Sequence, residues 1–213
     1  MRTIVVANPK GGSGKTTLAT NVAGWLAGKR QKVALVDADP QGSASQWIAR
    51  RPPLFPGVAA APAEASRRDL ADLDVQWLVV DSPAGLNGEA LRDTVRRADV
   101  VLVPVSPSAF DMAATARFLG AVSEYKSVRA GDVPLAIIGM RVDGRTLAAG
   151  ELDDFARAQR FAHVTNLRDT QVYVHCARDG LSVFDLPPSR AEQDHEQWRP
   201  LTRWIARHAP ART

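Results

Sequence analysis

The chain has 213 residues, of which 45% are hydrophobic and 23% charged, with a formal net charge of +4. These are ordinary values for a globular protein and predict one domain over residues 1–213 with a real buried core. The single cysteine, Cys176, excludes an intrachain disulfide framework or a four-cysteine metal site and suits a reducing cytoplasm; the absence of a leader segment and of an 18-residue apolar run predicts no membrane span.

Charge is unevenly spread. Residues 1–35 hold Arg2, Lys10, Lys15, Lys29, Arg30 and Lys32 and no acid. A basic start of this kind suits an anionic ligand, and the overall excess permits nucleic-acid binding without requiring it.

In chain order, short apolar runs at 3–7, 32–36, 77–80, 100–105 and 134–139 alternate with helical patterns at 15–28, 42–50, 86–97, 112–128 and 148–160. The runs lack polar alternation, as expected of strands covered on both faces. The βαβα order predicts an α/β fold: a parallel, twisted sheet with helices on both faces. Residues 51–63 are rich in proline and alanine and read as a surface connection. A last helix is expected at 198–208, with Pro200 in its first turn and Leu201, Trp204, Ile205 and His208 on one core-facing side.

The first strand runs into Asn8-Pro9-Lys10-Gly11-Gly12-Ser13-Gly14-Lys15-Thr16-Thr17, followed by a helix. Three glycines allow the backbone to curl so that its N–H groups face phosphate oxygens. The helix start adds positive partial charge. Lys15 is placed to reach the β- and γ-phosphates and Thr16 to ligate Mg²⁺, so ATP with Mg²⁺ is the expected ligand pair. Two further strands end in acids. Asp37 and Asp39 follow 33–36, and with a two-residue strand period they face one side. Asp81 follows 77–80. Ligands of open α/β sheets collect at such strand ends.

Lys10 departs from the standard loop, and the pattern Lys10-Gly11-Gly12-Ser13-Gly14-Lys15-Thr16-Thr17 resembles the deviant Walker A box of the ParA/MinD ATPases, a P-loop NTPase branch. The resemblance implies that Lys10 reaches a partner's nucleotide across an ATP-dependent homodimer. It also implies that Asp39 positions the attacking water, that Asp37 and Asp81 join the Mg²⁺ shell with Thr16, and that Gly85 lies near the γ-phosphate. It extends through residues 104–111 and 172–184. Gly139-Met140-Arg141 stands where the family often has an Asn near the adenine, so base selection cannot be read from residues here.

Within that superfamily, one cysteine excludes the nitrogenase-iron-protein branch, and two tyrosines (Tyr125, Tyr173) argue against the tyrosine kinases. The loop begins at residue 8, so no preceding helix-turn-helix is expected. The resemblance is nearest to the small plasmid-partition ParA class. It implies a cytoplasmic, nucleoid-associated ATPase that cycles on non-specific DNA with a ParB-like activating partner to segregate a plasmid or chromosome. Arg168, Arg178, Arg199, Arg203 and Arg207 are the candidate DNA contacts. Two alternatives stand beside this: positioning of a protein cargo such as a chemoreceptor cluster or microcompartment, and a biosynthetic ligase of the dethiobiotin-synthetase kind.

Overall fold

The computed structural model describes residues 1–63, 65, 69–70 and 73–209. Seven strands form one all-parallel sheet: β1 (Arg2–Val6), β2 (Val33–Asp37), β3 (Ala59–Ala61), β4 (Trp77–Asp81), β5 (Val100–Val105), β6 (Leu135–Val142) and β7 (Ala162–Arg168), in the spatial order β3-β2-β4-β1-β5-β6-β7. The Val/Ile/Leu content of the central strands matches their burial on both faces; β5 is buried at all six positions.

Helices cover both faces. On one side lie α1 (Lys15–Gly28), α2 (Ser43–Arg50), α7 (Gln171–Asp179) and α8 (Pro188–His208), whose Leu18, Trp47, Cys176, Trp198, Leu201 and Ile205 share a core with Ile4, Leu35 and Leu102. The other side carries α3 (Gly88–Arg96), α4 (Ala109–Ser123), the short α5 (Lys126–Arg129) and α6 (Leu147–Arg157), where Val95, Phe118, Val122 and Leu152 pack on Val101, Val103 and Ile137. Helix α1 is apolar nearly all round because it is enclosed: Gly24 lets the 3-10 turn Val183–Asp185 approach so closely that a Cβ there would lie 2.4 Å from Ser182 Oγ.

Several expectations need correction. Residues 51–63 are not wholly a connection, since β3 pairs with β2 at the sheet edge; three alanines carry little strand propensity, so packing decides their conformation. Strand β7 closes the opposite edge with a mixed polar sequence, Ala-His-Val-Thr-Asn-Leu-Arg, that shows no continuous apolar run. The helix expected at 112–128 is two, starting earlier at Ala109 and interrupted at Glu124-Tyr125. The last helix starts at Pro188, with a kink at Ala191, so Pro200 lies in its interior and not in a first turn. There, Thr165 Oγ1 donates to the Gln197 carbonyl one turn before the proline. Leu201 and Ile205 are fully buried, as expected of a core-facing stripe. Among the described residues, no helix is long and apolar enough to cross a membrane.

Candidate nucleotide site

Register alone gathers the acids. Val6, Asp81 and Asp37 are lateral neighbours on β1, β4 and β2, so the loop after β1 and both carboxylates meet at the carboxyl edge of the sheet. The loop itself adopts the curl that its glycines permit. Gly12 has φ +75° and Gly14 φ +94°, and Gly14 forms the start of α1 without a side-chain cap. The first-turn N–H groups of α1 are thus left for an anion.

Asn8 anchors the loop's base. Its buried amide donates to the Pro104 carbonyl and to Thr115 Oγ1, both at 2.8 Å, while its Oδ1 accepts the Lys10 N–H at 2.8 Å. Across the loop, the Gly85 N–H donates to the Pro9 carbonyl at 2.9 Å, tying the segment after β4 to the loop, and Gly85 itself has φ +74°. The Lys10 side chain is exposed to solvent.

Lys15 is 5% exposed, and its Nζ donates to the Lys10 carbonyl at 3.0 Å, across the mouth of the loop. Burial pulls its pKa below the usual lysine range, while Asp81 and Asp39 oppose that fall. Thr16 Oγ1 donates to Asp81 Oδ2 at 2.7 Å. Asp81 is fully buried, and burial raises its carboxyl to about 7, partly countered by the Thr16 hydrogen bond. Among the described residues, Asp81 Oδ1, Ser13 Oγ and Ser82 Oγ are buried without a hydrogen-bond partner. Buried polar atoms are rarely left so. Three of them at one strand-end cluster fit a polar ligand that completes the site.

A hydroxyl beside one buried carboxylate also suits Mg²⁺, which keeps several waters and is normally held by one or two carboxylates plus substrate phosphates. The described residues contain no cluster of three or more His, Cys, Asp or Glu able to hold a metal by protein ligands alone.

The second pair of acids differs from expectation in its geometry. Strand β2 ends at Asp37, so strand periodicity does not carry through to Asp39. Asp37 Oδ1 accepts the Asp39 N–H at 3.2 Å, and Oδ2 accepts the Ser45 N–H of α2 at 2.7 Å. Asp39 Oδ1 accepts the Gln41 N–H at 3.0 Å. A turn, not a pleat, carries Asp39 beyond the strand end; both acids act on the ionisation of Asp81, and Asp39 on that of Lys15 as well. Beside Thr16 and Thr17 a cavity of about 250 Å³ opens, bordered by Ser43, Gln46, Arg50 and Arg178. Sequence reasoning singled out none of Asn8, Ser82 or this cavity, and noted Arg141 only as a departure from a pattern.

Residues 4–172 match the family model for the CobQ/CobB/MinD/ParA nucleotide-binding domain. The chain belongs to that family. Among curated relatives, it is 33% identical over 210 residues to the maintenance of carboxysome distribution protein A of Gloeobacter kilaueensis, covering 93% of this chain and 91% of that one. It is 32% identical to the chromosome-partitioning ATPase Soj of Thermus thermophilus, covering 74% and 76%. An ATP complex of a Cyanothece McdA variant superposes with a TM-score of 0.72 at 18% identity, covering 100% and 98% of the two chains. That last likeness speaks for the fold: the seven-stranded parallel sheet with helices on both faces is the α/β architecture of the ParA/MinD nucleotide-binding domains.

Proposed function

We propose that this chain is a ParA-type ATPase, one domain in extent, that binds ATP with Mg²⁺, dimerises around it and positions a protein assembly inside the cell. The observation that carries the cargo is the 33% identity, spanning nearly both chains, with a carboxysome distribution protein; the similarity to Soj covers less of each chain. Segregation of plasmid or chromosomal DNA is therefore the second reading. It is separable by deleting the gene and imaging. Misplaced or clustered protein assemblies with normal plasmid retention support the first reading, and loss of plasmid or chromosome at division supports the second.

In this proposal the residues divide the work as follows. The backbone of Gly11, Gly12, Ser13 and Gly14 cradles phosphate, with Thr17 the third residue of α1. Lys15 turns from the Lys10 carbonyl to the β- and γ-phosphate oxygens. Thr16 and Asp81 would hold Mg²⁺, together with Asp37. When bound, Mg²⁺ neutralises charge that develops on the transferring phosphoryl group. Asp39 accepts a hydrogen bond from the attacking water and orients it, and Lys10 of one subunit reaches the other's phosphates. The activating partner is a separate protein that speeds a slow intrinsic turnover.

Non-specific DNA is the surface on which such cycling would occur. Of the five candidate arginines, Arg168 is committed to the fully buried Asp194 in a bidentate pair (2.9 Å, 2.9 Å), and Arg178 to Asp179. Arg199, Arg203 and Arg207 are exposed and recur every four residues along α8, which places them on one helix face. Replacing all three with alanine is expected to remove most DNA retention and to flatten its salt dependence by about 3 log–log units per subunit, from three phosphates at about 0.9 each. A filter-binding salt series checks this; an unchanged slope would place the contacts elsewhere.

A further inference from the structure

Arg141 makes a contact that its place in the sequence does not announce. It lies in the irregular end of β6, where register with β7 shifts between Gly139 and Val142. Its φ of +54° is in the left-handed region, which arginine seldom occupies and which clusters at functional sites. The exposed guanidinium reaches back to the phosphate loop: Nη2 donates to the Gly12 carbonyl at 2.5 Å and to Ser106 Oγ at 2.7 Å. The preceding Met140 packs against the same loop, since a Cβ on Gly14 would lie 2.9 Å from Met140 Cε. Residues 140 and 141 thus touch the loop at both of its left-handed glycines.

The consequence follows from the peptide group. No cis peptide is present among the described residues, and in a trans peptide the C=O and N–H point in opposite directions. A Gly12 carbonyl held on Arg141 therefore turns the Ser13 N–H to the opposite side. Ser13 is fully buried there, and its hydroxyl has no partner among the described residues. At Gly11 and Gly12 nothing lies within 4 Å of where a Cβ would sit, so no packing on that side restrains this peptide plane. Backbone N–H groups of such loops are what cradle the α- and β-phosphates.

We infer that Arg141 is a positioning residue for the nucleotide: it latches the Gly12–Ser13 peptide in the phosphate-accepting orientation before the ligand arrives. The inference rests on the loop being the nucleotide site. Preorganisation of this kind strengthens binding by removing an ordering cost from the binding step. The strained backbone of Arg141 is tolerated for that purpose. Its action is on the loop that meets the first two phosphates, so ADP and ATP benefit alike.

The test uses the full chain with Arg141→Gly, Arg141→Met and Arg141→Lys, measuring melting temperature and the Kd of ADP and of a non-hydrolysable ATP analogue with Mg²⁺. Arg141→Gly is expected to be as stable as wild type or more so, because glycine accepts positive φ freely, and yet to bind both nucleotides about tenfold or more weakly. Arg141→Met should weaken both equally, and Arg141→Lys should recover part of the loss. Unchanged Kd values in Arg141→Gly and Arg141→Met would overturn the latch. So would a loss confined to the ATP analogue, which would place the guanidinium on the γ-phosphate instead. A wild-type chain that bound neither nucleotide would remove the site reading and the latch together.

Discussion

Lys15→Ala is expected to abolish binding of ADP and ATP alike, whereas Asp39→Ala should bind ATP near wild-type affinity and hydrolyse it at least a hundredfold more slowly. The two residues sit in the same electrostatic neighbourhood, since Asp39 acts on the ionisation of Lys15, but their situations differ. The Lys15 side chain is buried within the loop, and its ammonium spans the loop mouth. Its removal deletes the fixed cation at the phosphates, and charge-assisted contacts of this kind are among the strongest single contributors. Asp39 stands in a turn beyond β2, with one carboxylate oxygen on the Gln41 N–H. Its loss leaves the phosphate cradle intact and takes away only the group proposed to orient water. Fluorescent-nucleotide titration and phosphate release separate the two effects. Equal loss of binding in both variants would contradict the division of labour.

The second large effect is a pH dependence centred on Asp81. Without ligand, burial raises this carboxyl from its ordinary 3.8 to about 7. The unfolded chain therefore ionises Asp81 first, and the folded, ligand-free protein loses stability as pH rises between these two values. At about 1.4 kcal/mol per pH unit, the loss is on the order of a few kcal/mol, complete above about pH 7. Asp81→Asn cannot ionise and escapes it. The difference in unfolding free energy between variant and wild type should be small near pH 4 and widen in the variant's favour up to pH 8. Mg²⁺ with nucleotide should reverse the order at pH 8, because a cation beside Asp81 favours the carboxylate in the wild type and loses that anionic ligand in the variant. Urea denaturation at three pH values, with and without Mg·ATP, provides the measurement. A difference that did not vary with pH would show that Asp81 is ionised throughout.

What could be read from the sequence follows a physical division. The phosphate loop was legible because its chemistry is local: glycine is needed where φ is positive, as at Gly12 and Gly14, and the cationic and hydroxyl groups follow at fixed spacing. The central strands were legible because burial on both faces demands unbroken apolar runs. Edge strands escape that demand, so neither the alanines of β3 nor the polar sequence of β7 declared itself. Pro200 was misplaced because local propensity ends a helix there, whereas Leu201, Ile205 and Trp198, all fully buried, hold the turns on either side in place. Asp37 and Asp39 lie near each other for a reason that strand period does not supply: Asp37 ends β2, and the turn after it carries Asp39, whose N–H donates to Asp37 Oδ1. Arg141 was illegible as a contact, since it meets Gly12 across 129 residues through a backbone angle that sequence does not predict for arginine.

In the proposed cycle, nucleotide state switches the chain between monomer and dimer, with Lys10 acting across the interface. Light scattering of wild type and Lys10→Ala, each with ADP and with a non-hydrolysable ATP analogue plus Mg²⁺, tests it most directly. The wild type is expected to be a monomer with ADP and a dimer with the analogue, and Lys10→Ala a monomer in both states. A wild-type mass that is the same with either nucleotide would contradict it.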